Sequence, residues 1–323
     1  MKDLPDIYYT ENWRKLYSVK ENGIPEEYTL TTKNGTIIYP YIKREIEYKI
    51  DDKTYYDTVT PYGFNGPIII ELTGTKEKLL EEFKIDFNKC CIDNNIIAEY
   101  VRFSPWFKNY LGLEDYYKLR ENNQTIAIDL TVSDIFMEEI NSKRRNCIRA
   151  AIKKGVSIQF DFEGNTIEEF HRIYQETIEK NDIKEYYWLS MEFLKEHFKM
   201  LKGHIFILNA LYDEKIISSS IFVHYNKQLH YLYSANDYNY NGLNGNSLLL
   251  YEAAEWGKKN EKEYLHLGGA SKSEALMSFK LSYTKHGIFK YFVGSRISQH
   301  DIYEKIVEKS GKKENDYFPQ YRG

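Results

Sequence analysis

The sequence predicts a mixed α/β (α+β) protein of two tandem domains, each a mixed twisted sheet flanked by helices. Three observations carry this. The chain has 323 residues, 42% of them hydrophobic and 16% aromatic, which is too much for one ordinary core and enough to fill two. Segments of two-residue alternation bounded by turn residues are mixed with segments of helical period along the whole length. The second half orders its elements as two helices, a three-strand meander, a glycine loop, a helix, a strand, a helix and a strand. The first half repeats part of that order, as a faint internal duplication. The domain boundary is expected near residue 131, with a first domain over 1–131 and a second over 132–299.

In the first half, Tyr28–Thr32 and Thr36–Tyr39 flank Asn34-Gly35, a strong hairpin signal. Arg44–Ile50 and Lys53–Val59 flank the weaker turn Asp51-Asp52. A glycine-containing piece, Thr60–Pro67, leads to the apolar run Ile68–Leu72. A helix is expected over Lys76–Asn94 and a strand over Ile96–Phe103. In the second half, Ser133–Lys154 reads as one long helix, capped by Ser133 and ended by Gly155. A strand at Val156–Phe160 precedes the helix Ile167–Lys180, whose Ile167, Phe170, Ile173, Tyr174 and Ile178 form one stripe. The helix Ser190–Lys202 stops at Gly203, and the meander follows as Ile205–Tyr212, Ile216–Tyr225 and Gln228–Ala235. A loop with Gly242 and Gly245 opens onto the helix Ser247–Lys259. After the strand Tyr264–Leu267, Ser271-x-x-Glu274 reads as a capping box for a helix ending near Gly287. The strand Ile288–Val293 and a charged helical tail close the chain.

Bulk properties narrow the function. A net charge of −4 and a pI near 6.1 give no global basic footprint of the kind that nonspecific nucleic-acid binders carry. Cys90, Cys91 and Cys147 form neither a metal-ligand spacing nor a disulfide framework. The start lacks the apolar stretch of a signal peptide and no segment approaches 18 apolar residues, so no membrane span and a cytoplasmic location are expected. Serine-triad, Walker and zinc signatures are absent, which sets hydrolases and nucleotide kinases aside, and no metal ligands are expected.

Three segments could carry chemistry. In Asn241–Ser247, Gly242 and Gly245 precede a helix, where unpaired N–H groups and the helix dipole attract anions; an ordinary loop reads the same way. Ser142–Gly155 holds six basic residues, Lys143, Arg144, Arg145, Arg149, Lys153 and Lys154, and no acid. Arg145, Arg149 and Lys153 recur every four residues on one helical face, as either a phosphate-binding row or a solvated face. In His266–Leu281 a strand ends in Gly268-Gly269 and a helix then presents Phe279 and Lys280. Lys280 could stabilise a developing oxyanion or be an exposed lysine. His224, His230, Asp237 and His266 lie near the meander, and none stands out as a base.

The second half has the element order of a GNAT domain, and at Lys143–Gly155, the His266-Leu-Gly-Gly269 turn and the Phe279-Lys280 pair the chain resembles the Fem family (FemABX-like peptidoglycan aminoacyltransferases). The likeness extends through Tyr39–Ile46, Tyr56–Pro67 and Ala98–Phe103, segments shared with Fem-like proteins of polysaccharide gene clusters. The resemblance implies two GNAT-like domains, the first completed by the tail 300–323. It also implies transfer of an acyl or aminoacyl group to an amine of a cell-wall or polysaccharide precursor. Aminoacyl-tRNA or acyl-CoA would be the cosubstrate, with no permanently bound cofactor and no metal. It places Lys280 and Phe279 at the reacting ester, and Arg144, Arg145, Arg149, Lys153, Gly242, Gly245, Arg102 and Tyr62 are the candidate substrate- or donor-binding residues. Two positions depart from the family pattern. Tyr17 stands where a lysine follows the first tryptophan by four residues, and Ser104 stands where an aspartate precedes a proline. The alternatives are a coenzyme A-dependent N-acetyltransferase of an amino sugar or small amine, and a binding module with a degenerate cleft. Neither the donor, the acceptor nor the oligomeric state is legible here.

Overall fold

The computed structural model describes residues 4–180, 188–269, 273–312 and 316–323. The chain divides into two compact units, Met1–Asn123 with Lys290–Gly323, and Gln124–Phe289.

The first unit opens with α1 (Glu11–Glu21), capped by the Thr10 side chain on the Trp13 N–H. It buries Trp13, Leu16 and Tyr17, and it is absent from the sequence reading. Its Trp13, Leu16 and Tyr17 stand at i, i+3 and i+4, so a short helical stripe was present in the sequence. The hairpin β1 (Ile24–Thr32) and β2 (Gly35–Glu45) turns at Asn34-Gly35 as expected. Around Asp51-Asp52 only Ile50 and Lys53 bridge, so the second expected hairpin shortens to β3 (Tyr56–Val59) against the end of β2. Then come β4 (Ile68–Leu72), α2 (Lys76–Asp93) and β5 (Ile96–Arg102). β3 and β5 are parallel, and α2 lies in their crossover, as parallel strands require. α9 (His300–Ser310) and Tyr321 pack on Ile46, Tyr55, Ile97 and Ala98. The buried Asp57 carboxylate accepts from Arg44 Nε at 2.7 Å, Tyr321 Oη at 3.1 Å and Arg322 Nε at 2.5 Å.

The second unit begins within β6 (Lys118–Asp129), a strand whose polar first half hid it in the sequence. The expected single helix Ser133–Lys154 is two helices, α3 (Ile135–Glu138) and α4 (Ser142–Lys153). Asn141 is the reason for the break. Its side chain caps α4 through the Arg144 N–H at 2.9 Å, and its own N–H goes to Ser282 O at 3.0 Å instead of back along a helix. β7 (Ser157–Asp161), α5 (Ile167–Lys180) and α6 (Met191–Met200) follow. The meander is β8 (Ile205–Tyr212), β9 (Lys215–Tyr225) and β10 (Gln228–Asn236). α7 (Gly245–Lys259), β11 (Tyr264–Gly269) and α8 (Glu274–Leu281) complete the order. The expected cap residue Ser271 lies outside the described residues, and Ser273 caps α8. The core of this unit packs α4 and α7 on the sheet through Ile148, Leu249, Phe206, Phe222 and Leu265.

The class is mixed α/β, with antiparallel and parallel pairs in both units. β6 and β12 (Ile288–Ile297) each begin in one unit and end in the other. Within the first unit the strand order is β1-β2-β3-β5-β12 with β4 on β2, and within the second it is β6-β11-β10-β9-β8-β7.

Candidate active site

Both units contain a parallel strand pair joined through a helix, β3–α2–β5 and β10–α7–β11, but the two pairs end differently. In the first unit the pair is held together past its last register position. Thr60 N–H donates to Tyr100 O at 3.2 Å, Asn65 bridges Phe103, and Asn65 N–H donates to Arg102 O at 2.7 Å. Arg102 adds to the closure, with its backbone N–H on Thr60 Oγ1 at 3.1 Å and its guanidinium on Thr60 and Glu21.

In the second unit the pair parts. Among the described residues β10 and β11 are in register over Gln228↔Tyr264, Leu229↔Leu265 and His230↔His266. β10 then continues to Asn236 and β11 to Gly269 outside that register. Irregularities fall at this level on both strands, at Tyr231/Tyr233 against β9 and at His266/Gly268 against β6. Such bulges bend a strand and re-aim its side chains. Gly268 takes a φ of +71°, a left-handed conformation that a side chain would strain. The result is a wedge whose walls are the backbone edges of two strands, and an extended ligand can add to such an edge as a further strand.

Lys280 closes the rim of this wedge. It is 7% exposed and its Nζ donates to Gly269 O at 2.6 Å. Burial pushes its pKa down to about 8, because an ammonium loses hydration there. Near neutrality the group is still mostly charged, and it can give up its proton at little cost.

Phe279, its neighbour, lies beneath the Arg144 guanidinium at 4.4 Å, and Tyr283 lies beside the same group at 5.2 Å. Arg144 also donates from Nε to Ser282 Oγ at 2.9 Å and from Nη1 to Ser247 Oγ at 2.7 Å. One side chain of α4 thus ties the first turn of α7 to the last turn of α8. Arg145 and Arg149 turn elsewhere. Arg145 donates to Ile140 O at 2.5 Å and Arg149 lies over Phe136 at 5.0 Å. Lys153 is exposed. Lys154, not singled out from the sequence, donates to Gly242 O at 2.6 Å. Gly245 is tightly packed, since a Cβ there would approach Ile217 to 3.0 Å, whereas Gly242 faces open space. The expected row of phosphate-binding arginines is not brought together as a row: Arg144 alone of the named arginines meets α8.

Tyr62 and Arg102 belong to the first unit. Tyr62 stacks on Tyr17 with centroids 5.1 Å apart, and its carbonyl accepts from Trp13 Nε1 at 2.7 Å. Tyr17 is therefore a buried layer under Tyr62. Ser104, also buried, takes the Asn109 Oδ1 on its N–H at 2.8 Å.

The histidines divide into two groups. His230 and His266 stack at 4.8 Å at the closed end of the wedge, and His266 Nε2 meets Gln228 Oε1 at 2.6 Å. Burial, with His230 beside it, holds the His266 pKa well below the usual histidine range. His224 packs on Trp256, and burial with nearby Lys262 and His204 pushes its pKa to about 4. Asp237 accepts from the Asn239 N–H at 3.0 Å and caps the turn before α7. Among the described residues no His, Cys, Asp and Glu cluster could hold a metal ion, and no helix is long and apolar enough to cross a membrane.

Sequence reasoning missed Tyr231, Ser220, Ser234 and Asn246. Tyr231 faces these three polar groups beside the parting strands, and Ser220 Oγ lies 3.2 Å from Ser234 Oγ. The run Ser218-Ser219-Ser220 inside a buried strand was the available signal, since buried hydroxyls are seldom incidental.

Residues 141–280 match the family model described as the acetyltransferase (GNAT) domain, and that match ends at Lys280. No curated protein matches the chain. The matched segment has the character of an acyl-transferring GNAT domain. The fold of the chain is similar to that of FemX, a solved structure at TM-score 0.72 and 11% identity, with 94% of this chain and 96% of that one covered. Two others are L-PGS from Bacillus licheniformis (TM-score 0.51, 14% identity, 87% and 90% covered) and a tandem GNAT protein from the clavulanic acid biosynthesis pathway (0.51, 7%, 89% and 94%). At these identities the likeness is one of fold.

Proposed function

We propose that the chain transfers an acyl group from an activated donor to a primary amine of a cell-envelope or polysaccharide precursor, and that the donor lies in the β10–β11 wedge. The parting of that one strand pair, with Lys280 at its rim, carries the reading, because the same pair in the first unit is stapled shut. An extended donor chain would bond along the free edge of β10 and present its carbonyl near Gly268 and Gly269. The neutral amine attacks that carbonyl, the C–N bond forms, and negative charge appears on the carbonyl oxygen. The Lys280 ammonium stabilises it there in a site with little water. Collapse breaks the bond to the leaving group, nitrogen loses its proton, and the leaving group takes one up. Arg144 holds α7 and α8 in place for this.

The matched GNAT domain favours acyl-CoA as the donor. A charged tRNA is the second reading, favoured by the six cations between Ser142 and Gly155. The test is release of free thiol from acetyl-CoA in the presence of a panel of amines, run beside transfer from aminoacyl-tRNA. Amine-dependent release is expected. Absence of transfer from either donor to every amine would overturn the reading. Lys280→Met should lower kcat about 100- to 1,000-fold with KM for the donor little changed, as for loss of one preorganised oxyanion donor.

A further inference from the structure

α8 carries a second feature that the transfer reaction described above does not use. A cavity of about 480 Å³ lies along it, lined by Asn141, Ser273, Glu274, Met277, Ser278 and Leu281. That volume is within the range of small-molecule sites. Its chemistry is mixed in a particular way. Glu274 supplies one carboxylate, Ser273 and Ser278 supply hydroxyls, and Met277 and Leu281 supply an apolar wall. Asn141 spends its Oδ1 on the Arg144 N–H at 2.9 Å, so its amide N–H groups are the part that can meet a ligand. Ser273 likewise accepts from the Leu276 N–H at 3.2 Å, which leaves its hydroxyl proton to donate.

The position ties the cavity to the reaction. Met277 precedes Lys280 by three residues and Ser273 precedes it by seven, so all three share one stripe of α8. A ligand seated on Met277 is three residues, ~4.5 Å along the helix axis, from the level of Lys280. Ser282, whose Oγ accepts from Arg144 Nε at 2.9 Å, completes the lining.

We propose that this cavity is the acceptor subsite and that it takes an amino sugar. The amine, while protonated, pairs with Glu274. Ring hydroxyls bond with Ser273, Ser278 and Asn141, and the apolar face of the sugar ring rests on Met277 and Leu281. A fatty amine would leave the hydroxyls and amide unsatisfied. An acidic acceptor would meet the Glu274 carboxylate. The proposal rests on the acyl-transfer reading for its role, but the binding it requires does not depend on any donor.

The experiment is calorimetric titration of the full-length protein with glucosamine, N-acetylglucosamine and lysine, for wild type, Glu274→Gln and Met277→Trp. Glucosamine should bind the wild type. Glu274→Gln should weaken it about 10- to 100-fold, as loss of a charge-assisted hydrogen bond does, and should leave N-acetylglucosamine unaffected. Met277→Trp fills the cavity and should abolish binding of both sugars, with an unchanged circular-dichroism melt showing that it folds. Absence of glucosamine binding, equal binding by both variants, or lysine binding as tightly as glucosamine would each overturn the proposal. The two readings separate cleanly. If transfer to amines occurs while Glu274→Gln and Met277→Trp leave the amine KM unchanged, this subsite falls and the reaction stands. If the sugar binds as described and no donor is used, the subsite stands and the reaction falls.

Discussion

Lys280 shows how much a single side chain can depend on its surroundings. Its folded pKa of about 8 lies below the unfolded value of 10.5, so the charged form is disfavoured by folding. The cost is fully present below pH 8 and fades as pH rises toward 10.5, where the unfolded chain also loses the proton. The shift corresponds to at most about 3.5 kcal/mol. Lys280→Met should therefore raise the urea midpoint at pH 7, with the advantage over wild type shrinking between pH 8 and 10.5. A midpoint gain that is constant with pH would show that burial of charge is not its source. If the ammonium is the oxyanion donor, kcat should also fall above about pH 8. Arg144 is the second decisive residue. Arg144→Ala removes two hydrogen bonds and a stacked cation, which should cost about 2–3 kcal/mol in thermal or urea unfolding. Arg144→Lys keeps the charge without the planar fork and should recover little of it. The partners of Arg144 could not be read from spacing, because Ser247 and Ser282 lie 103 and 138 residues away.

At the scale of elements, the break between α3 and α4 is the instructive case. Period and composition support one helix over 133–154, and the alternative costs little locally. Asn141 tips the balance by capping α4 and by reaching Ser282 across the unit. Asn141→Ala should lose the cap and cost about 1 kcal/mol by denaturant unfolding. An unchanged midpoint would return the break to loop geometry alone. The wedge is also an element-scale property. Strands β10 and β11 were legible as strands, and the Gly268-Gly269 turn was legible as a turn. Their parting was not, since it follows from bulges against β9 and β6, which are set by neighbours far along the chain. α1 and β6 were also missed. The first half of β6 carries no alternation, whereas the stripe of α1 is confined to a single turn, Trp13, Leu16 and Tyr17.

At the scale of the molecule, the first unit is completed by the end of the chain. α9 and Tyr321 cover Ile46, Ile97 and Ala98, and the buried Asp57 takes hydrogen bonds from both Tyr321 and Arg322. Deleting residues 300–323 should expose this surface and leave Asp57 with Arg44 as its remaining cation. Breaking a buried pair of this kind typically costs roughly 3–5 kcal/mol. The truncated protein should bind a hydrophobic dye and unfold at lower urea, and a melt like that of the full chain would refute the tail's role.

The sequence by itself determined the mixed α/β class, most strands and helices of the second half, the Asn34-Gly35 hairpin and the short list of basic, glycine and Phe279-Lys280 segments. These are local properties, written in two- and 3.6-residue periods and in turn residues whose φ is fixed by their own chemistry. Tertiary structure alone decided three further things. It chose Arg144 over Arg145 and Arg149 as the arginine that meets α8. It spent the donors of Arg102 on closing a strand pair. It opened the β10–β11 pair while the corresponding β3–β5 pair stayed shut. Each of these turns on hydrogen bonds and bulges between segments distant in sequence, and no local pattern encodes which distant partner a side chain will find.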